Sequence, residues 1–468
     1  MRRKWYKILF PAALMLLLSG CLFQSPQDLY RQPEKSAGYE KLNAVIQEVR
    51  TALEMEFDAS AETAVILAGD NTATIQLQDL DGDGVQEAIA FFRVSADERP
   101  LKIYIYRQVG ENYEVAAVIE GSGNAIDSIY YENLDDSPSK ELIVDWETAG
   151  QRHSLAAYSI DRYEVLELMR TDHAGFQIYD VDGDGQKEIL VLQMAAGEVG
   201  QAESFVNSAP GSRVEVYNFR DGILELDASA PLSNGVEKLV SMKTGYLQNM
   251  APALFVTSTY AENGQITDIF AWKNGGLENV TLEPDTGESD STIRWSTEVE
   301  STKVSYTDIN HDGILELPSA YALPDPNNVG TAPNFWAIRW WQYDINGVSH
   351  LVYTTYHNSR DGWYFVLPEA WSGKVTLSRS DLAGGGERAV IFSYWEGSAD
   401  TAPVPFLVIY KLTGDNRVMR ANMADRFLLP NTGEEKETIY AARLIESGWD
   451  CGLDEEGVKA NFALITSD

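Results

Sequence analysis

The sequence predicts an all-β protein: a β-propeller of six visible four-stranded blades, with material for a seventh, an N-terminal amphipathic helix and a short C-terminal helix. Three observations predict it. Short β-branched and aromatic runs, separated by Gly, Asn and Asp turns, fill nearly all of 59–468, without the long helical patterns of a parallel α/β domain. An acidic, glycine-punctuated nonapeptide recurs among those runs. Its copies stand 47 to 73 residues apart, the spacing of a four-stranded propeller unit.

Taken in order, the chain opens on an address. Arg2, Arg3, Lys4 and Lys7 precede the apolar run Ile8–Leu18, which is too short for a comfortable membrane span and has the flanks of a secretory signal. Leu18-Ser19-Gly20-Cys21 resembles a bacterial lipobox. The resemblance implies a signal peptide over 1–20, lipid on Cys21, and an exported protein anchored to the bacterial cell membrane on its extracytoplasmic side. Residues 21–38, polar and carrying Pro26 and Pro33, read as the lipid anchor and a flexible tether. Cys451 is the other cysteine, so acylation of Cys21 leaves no disulfide to staple the fold.

Residues 39–58 follow, with Leu42, Val45, Ile46, Val49 and Leu53 on one stripe of an amphipathic helix that docks on the main domain. Strands are then predicted at Ile103–Tyr106, Val115–Ile119, Glu141–Trp146, Ile189–Gln193, Val214–Tyr217 and Leu407–Tyr410. Thr63–Leu67 with Ile439–Leu444 supplies the material for a seventh blade, and Asp454–Phe462 a closing helix.

The nonapeptide is complete at Asp79–Glu87 (DLDGDGVQE), Asp180–Glu188 (DVDGDGQKE) and Asp308–Glu316 (DINHDGILE). Oxygen-bearing side chains at positions 1, 3, 5 and 9 suit a hard cation that takes several oxygen ligands. Degenerate copies stand at Asn133–Glu141, near Lys243–Ala251 and at Asp381–Ala389. The Asn133 and Asp381 copies lack acids at position 3 or 5 and are predicted to be empty turns. Every copy is predicted to join the first two strands of its blade. An EF-hand is excluded: position 12 is Ala90, Val191 or Ser319 rather than Glu, and the flanks are β-rich.

This repeated Asp-x-Asp-Gly-Asp-Gly-x-x-Glu between strands resembles the FG-GAP/VCBS-type repeats of bacterial surface proteins and integrin α-subunit propellers. The resemblance covers 72–431 and implies calcium, up to three structural ions. It carries the ligands over to Asp79, Asp81, Asp83 and Glu87; to Asp180, Asp182, Asp184 and Glu188; and to Asp308, Asn310, Asp312 and Glu316. Backbone carbonyls of Val85, Gln186 and Ile314 complete the sets. The chain departs from the pattern in having Glu rather than Asp at position 9 and in lacking the Phe-Gly and Gly-Ala-Pro elements.

Net charge is −35, and −39 once Arg2, Arg3, Lys4 and Lys7 leave with the leader, a surface that repels nucleic acid. No phosphate-binding loop, nucleophile elbow or zinc-spaced histidine pair occurs; the five histidines are scattered along the chain. No catalytic residue is therefore assigned. Trp336, Trp340 and Trp341, in the run Phe335–Tyr343 after the Pro/Asn-rich stretch Leu323–Asn334, are candidate ligand-binding aromatics, with packing between blades as the competing role. The functional expectation is a cell-surface binding or interaction module for a protein or glycan. A propeller hydrolase acting on polysaccharide or peptide, and a structural envelope component, are the alternatives.

Overall fold

The structure, a computed structural model, describes residues 37–148, 152–162, 164–195, 211–260, 264–289, 293–294, 304–326, 334–382, 385–395, 397, 401–423, 425–430 and 437–465. The signal peptide, Cys21 and nearly all of the tether lie outside them. No helix among the described residues is long and apolar enough to cross a membrane. The described residues are mostly β, in six antiparallel sheets of four or five strands, each with the up-and-down order of a propeller blade. The described residues divide into two compact units: those within 1–132, 137–151 and 156–167, and those within 133–136, 152–155 and 168–468.

In the first unit, the helix Ala37–Phe57 forms over the predicted stripe. Leu42, Ile46 and Leu53 are buried against Ala61, Ala88, Ala90, Phe92, Val94 and Tyr106. They meet one face of the first sheet, whose strands are Ile75–Gln78, Glu87–Val94, Leu101–Val109 and Asn112–Gly121, with Ala61–Thr63 added beside the second. Because strand side chains alternate, Ala88, Ala90 and Phe92 turn to the helix while Ile89 and Phe91 turn to the neighbouring core. Small residues at 88 and 90 let the helix approach. Ile89 and Phe91 share their core with Trp146 of the second sheet, which runs Ala125–Glu132, Glu141–Thr148, Arg152–Asp161, Glu164–His173. Gly121 is required there, since any Cβ would collide with the Trp146 ring.

In the second unit the third sheet runs Gly175–Tyr179, Glu188–Gln193, Arg213–Arg220, Ile223–Pro231. The fourth runs Val236–Leu247, Ala251–Tyr260, Gly264–Lys273, Gly276–Asn279, with Ile293–Arg294 beside its third strand. Asp221-Gly222 and Asn274-Gly275 close their last hairpins with positive φ at both residues, the type I′ geometry that matches strand twist. The fifth sheet runs Leu317–Ala322, Trp336–Tyr343, Ser349–Asn358, Trp363–Val366. The sixth runs Val375–Leu382, Glu387–Tyr394, Val404–Thr413, Thr438–Leu444, with Phe427–Leu428 added to the last.

The material for a seventh blade is used elsewhere. Thr63 pairs with Phe92 in the first sheet, and Ile439–Leu444 belongs to the sixth, where it pairs with Leu407–Leu412. The closing helix is Glu455–Ala460, capped by Asp454, whose carboxylate accepts from the Gly457 N–H at 2.8 Å. Beyond it Phe462–Leu464 returns to pair with Trp363–Phe365, as a fifth strand of the fifth sheet. Sequence periodicity reveals neither this return nor the short helix Arg417–Ala421.

Helix docking has a direct test. Leu53 is 3% exposed, so Leu53→Ala removes packed methyls and leaves a cavity, at a cost of about 2–5 kcal/mol. The exposed Met55→Ala on the same helix should change stability by under about 0.5 kcal/mol. Urea unfolding curves of the two variants check the contrast.

Candidate metal centres

Each complete nonapeptide is a tight loop: the first two join the first two strands of their sheets and lead into Glu87–Val94 and Glu188–Gln193, whereas the third, against expectation, precedes the first strand of its sheet, Leu317–Ala322, with a single bridge from Thr307 to Glu316. In the first, both carboxylate oxygens of Asp79 accept backbone N–H groups, Gly82 at 2.9 Å and Gly84 at 3.0 Å, which winds the loop around that side chain. The second repeats this with Asp180 accepting from Gly183 at 2.7 Å and Gly185 at 3.0 Å. In the third, Asp308 accepts from Asp312 at 3.0 Å and Gly313 at 2.9 Å. The winding needs the left-handed region at positions 4 and 6: Gly82 and Gly84, Gly183 and Gly185, then His311 (φ 62°) and Gly313. Gly82 is fixed twice over, because a Cβ would fall 2.6 Å from the backbone of Pro138.

Position 9 is the buried end of each loop. Glu87, Glu188 and Glu316 are at most 2% exposed, and each Oε2 accepts the N–H of position 2: Leu80 at 2.9 Å, Val181 at 3.0 Å, Ile309 at 2.9 Å. Leu80 and Val181 are themselves buried, so an apolar plug and a carboxylate enter the sheet side by side. Burial pushes all three glutamates above their ordinary range; the position-2 N–H opposes it, and neighbouring loop carboxylates add to it. Glu188 and Glu316 reach about 7.

Three groups of acids could each hold a metal ion: Asp79, Asp81 and Glu87; Asp180, Asp182 and Glu188; Asp308, Asp312 and Glu316. Within each, one oxygen per residue lies within 4.8 Å of the others. Asp83 and Asp184 are outside these groups; each accepts the N–H two residues on, from Val85 at 2.7 Å and Gln186 at 2.8 Å. Asn310 likewise accepts from Asp312 at 3.0 Å. The second centre fits a cation best. Oε1 of Glu188 is buried without a hydrogen-bond partner and belongs to a group of three carboxylates, which is the environment a positive ion would relieve. The third centre is already partly relieved. The Gln342 amide donates to Asp312 Oδ2 at 2.8 Å and Glu316 Oε1 at 2.7 Å. Desolvation raises Asp312, but bonds from Gln342, Ile314 and Asn310 outweigh it and hold that carboxyl below its ordinary value.

Two of the three degenerate copies keep an acid near the start of the following strand, Glu141 and Glu387. Glu141, position 9 of the second sheet's loop, is 1% exposed. In the sixth sheet the sequence frame is two residues out of phase. Asp381 and Leu382 are still strand, and Glu387, not Ala389, opens the next strand as Glu87 and Glu188 do. Its partner is a guanidinium: Arg426 donates to both Glu387 oxygens at 3.1 Å and stacks 3.7 Å above the Tyr410 ring. In the fourth sheet Lys243–Leu247 is strand, and the loop shrinks to Gln248–Met250 with left-handed Asn249 and Met250.

Of the three candidate binding tryptophans, Trp340 is 1% exposed and donates to Thr355 Oγ1 at 2.7 Å, so it is core. Trp336 and Trp341 are half-buried; Trp341 donates to Ser319 Oγ at 2.9 Å. A register shift between Trp340 and Trp341 interrupts simple face alternation along this strand. Sequence reasoning passed over His357, which the structure buries at 6% exposure with neither ring nitrogen hydrogen-bonded.

No protein-family model and no curated protein matches the sequence. Solved structures similar to it include rhamnogalacturonan lyase YesW (12% identity, 72% of this chain and 90% of that one, TM-score 0.28). Another is a Bacillus licheniformis rhamnogalacturonan lyase (12% identity, 73% and 77%, TM-score 0.29). At such scores neither fold detail nor activity passes from them to this chain.

Two outcomes are expected. Arg426→Ala strands the Glu387 carboxylate and should cost about 3–5 kcal/mol, equally with and without calcium, in chemical denaturation. The second concerns pH in chelator. Glu188 and Glu316 titrate near 7 in the folded chain against 4.5 ordinarily, so between these values the fold holds protons the unfolded chain has released. Their contribution is therefore full below 4.5 and lost as pH rises through 7. Compared with a Glu188→Gln, Glu316→Gln variant, the metal-free protein should lose melting temperature over that rise, and added calcium should reverse the trend.

Proposed function

We propose that this chain is a lipid-anchored, extracytoplasmic binding module: a propeller-type array stabilised by calcium in its acidic loops and presenting its surface to a protein or glycan. The single observation that carries the metal part is the unpartnered, buried Oε1 of Glu188 among Asp180 and Asp182. An oxygen-only donor set with carboxylates on a glycine-wound loop favours calcium over magnesium, which keeps several waters and avoids all-protein cages. The ion would be held by Asp180, Asp182 and Glu188, by Asp79, Asp81 and Glu87, and by Asp308, Asp312 and Glu316, and would supply positive charge to buried carboxylates. The role is structural. With a Kd of about 10⁻⁴–10⁻³ M in millimolar calcium, each site adds roughly 0.4–1.4 kcal/mol.

Several features support binding over hydrolysis. The acids that burial pushes up to about 7, Glu188 and Glu316, lie inside the loops and bond loop backbone. Another raised acid, Asp268, accepts from Ser233 and Asn279, a fully engaged core carboxylate. Lipidation of Cys21 and the resemblance to FG-GAP/VCBS repeats supply the location and the surface role.

A soluble form beginning at Leu22 should melt lower in chelator and recover with calcium but not magnesium, by differential scanning calorimetry. An unchanged melt would sink the calcium reading. Cross-linking on intact cells with the anchored protein, followed by mass spectrometry, should return an extracytoplasmic partner; recovery of cytoplasmic proteins alone would sink the location.

A further inference from the structure

One cavity of the second unit lies beside the third acidic loop, lined by Tyr306, Trp340, His357 and Tyr364. A second, of about 590 Å³, lies between the fifth sheet and the start of the sixth, within the ordinary range of ligand pockets (roughly 300–1,000 Å³). Arg339, on the strand Trp336–Tyr343, is the one cation among the described residues that line it. The residue is half-buried, yet no hydrogen bond or ion pair is made to its side chain among the described residues. Its guanidinium lies 3.9 Å over the Tyr321 ring. Such stacking offsets part of the lost hydration but supplies no acceptor for five N–H donors. Other arginines of the same unit are answered: Arg213 by Glu215, Arg360 by Asp381, Arg388 by Asp361 and Arg426 by Glu387. Nε of Arg339 is sealed off, whereas Nη1 and Nη2 keep access to solvent and carry the donors left for a ligand.

We propose that this cavity binds a small monocarboxylate with an apolar body, its two oxygens bridging Nη1 and Nη2 of Arg339 end-on. Such a site is independent of calcium in the acidic loops and of any partner at the surface. A guanidinium stays charged in a protein, so its demand is for an anion and cannot be met by losing a proton. Two parallel N–H donors match the two oxygens of a carboxylate. One cation neutralises one charge. A phosphate dianion would bring a second, into a cavity that exposed Glu369 also lines, on a chain of net charge −35. A neutral sugar brings none and leaves the guanidinium without an anion. Much of the remaining wall is apolar: Leu323, Leu367, Trp371 and Val375 are buried core side chains, and Leu351 is exposed. The Trp371 indole N–H already donates to the Cys451 carbonyl at 2.8 Å, so that ring offers the cavity its apolar surface. An aliphatic or aromatic body fits against such walls.

The test is saturation-transfer NMR with titration calorimetry on the full-length protein, using phenylacetate, indole-3-acetate, benzoate and hexanoate as probes. The corresponding amides are the neutral controls, and inorganic phosphate is the dianionic one. At least one acid should bind, and its amide should bind more weakly by about tenfold or more, the loss of one charge-assisted pair. Arg339→Met keeps a long apolar stem over Tyr321 and removes the charge, and should weaken that acid to the same degree. No protein anion loses a partner in this variant, so it should fold. Should it fail to, the ratio of acid to amide binding on the wild-type protein decides alone. No acid binding at millimolar concentration, amides binding as well as acids, phosphate binding more tightly than every acid, or full-strength binding by folded Arg339→Met overturns the site.

Discussion

A carboxylate buried at the end of the loop that leads into a sheet strand is the interaction on which most of this structure turns. Glu87, Glu141, Glu188 and Glu316 are each at most 2% exposed, and Glu387 holds the same place in the sixth sheet. Burying a charge costs several kcal/mol unless it is paired or protonated. The sheets answer with different chemistry. Glu387 takes a bidentate arginine, Glu316 takes the Gln342 amide, and Glu188 keeps an oxygen with no hydrogen-bond partner beside two aspartates. The acidic loops are one of several ways to settle the same electrostatic debt.

This explains why the loops are wound so tightly. Each spends the first Asp on two backbone N–H groups and the ninth Glu on one more, so the loop holds its shape through its own carboxylates. An apolar plug at position 2, Leu80 or Val181, then pins the loop to the core. The second cysteine, Cys451, is free, and no disulfide links loop to sheet. Charge compensation takes the place a covalent staple would fill.

Local patterns were legible and distant ones were not. The helix stripe, the strands and the loop frames are encoded within a few residues, and six sheets appear where six copies were read. The Asp381 frame failed by two residues because acid and glycine spacing, without the buried Glu as anchor, leaves register open. Arg426 and Gln342 lie 39 and 26 residues from the acids they meet, so no spacing rule points to them. The return of Phe462–Leu464 to the fifth sheet, and the bare imidazole of His357, are likewise products of tertiary contact. The tryptophan run reads equally as a binding surface or as packing between blades, because composition does not separate a half-buried ring from a core one.

The fifth sheet also shows why a cavity arises there. In the third sheet the strand before the acidic loop, Gly175–Tyr179, pairs over five residues with the strand after it. Before the third acidic loop that pairing shrinks to a single bridge, Thr307 to Glu316. Tyr306 instead stacks on Phe255 of the fourth sheet at 5.8 Å and joins the core around Leu247 and Ile269. The segment thus leans on its neighbour rather than lying along its own sheet, and Val304–Thr307 line the cavity together with Trp340, His357 and Tyr364. The loop that carries the third acidic group is also a wall of that cavity, through Asp308 and His311. The electrostatics that wind the loop therefore shape the cavity wall as well.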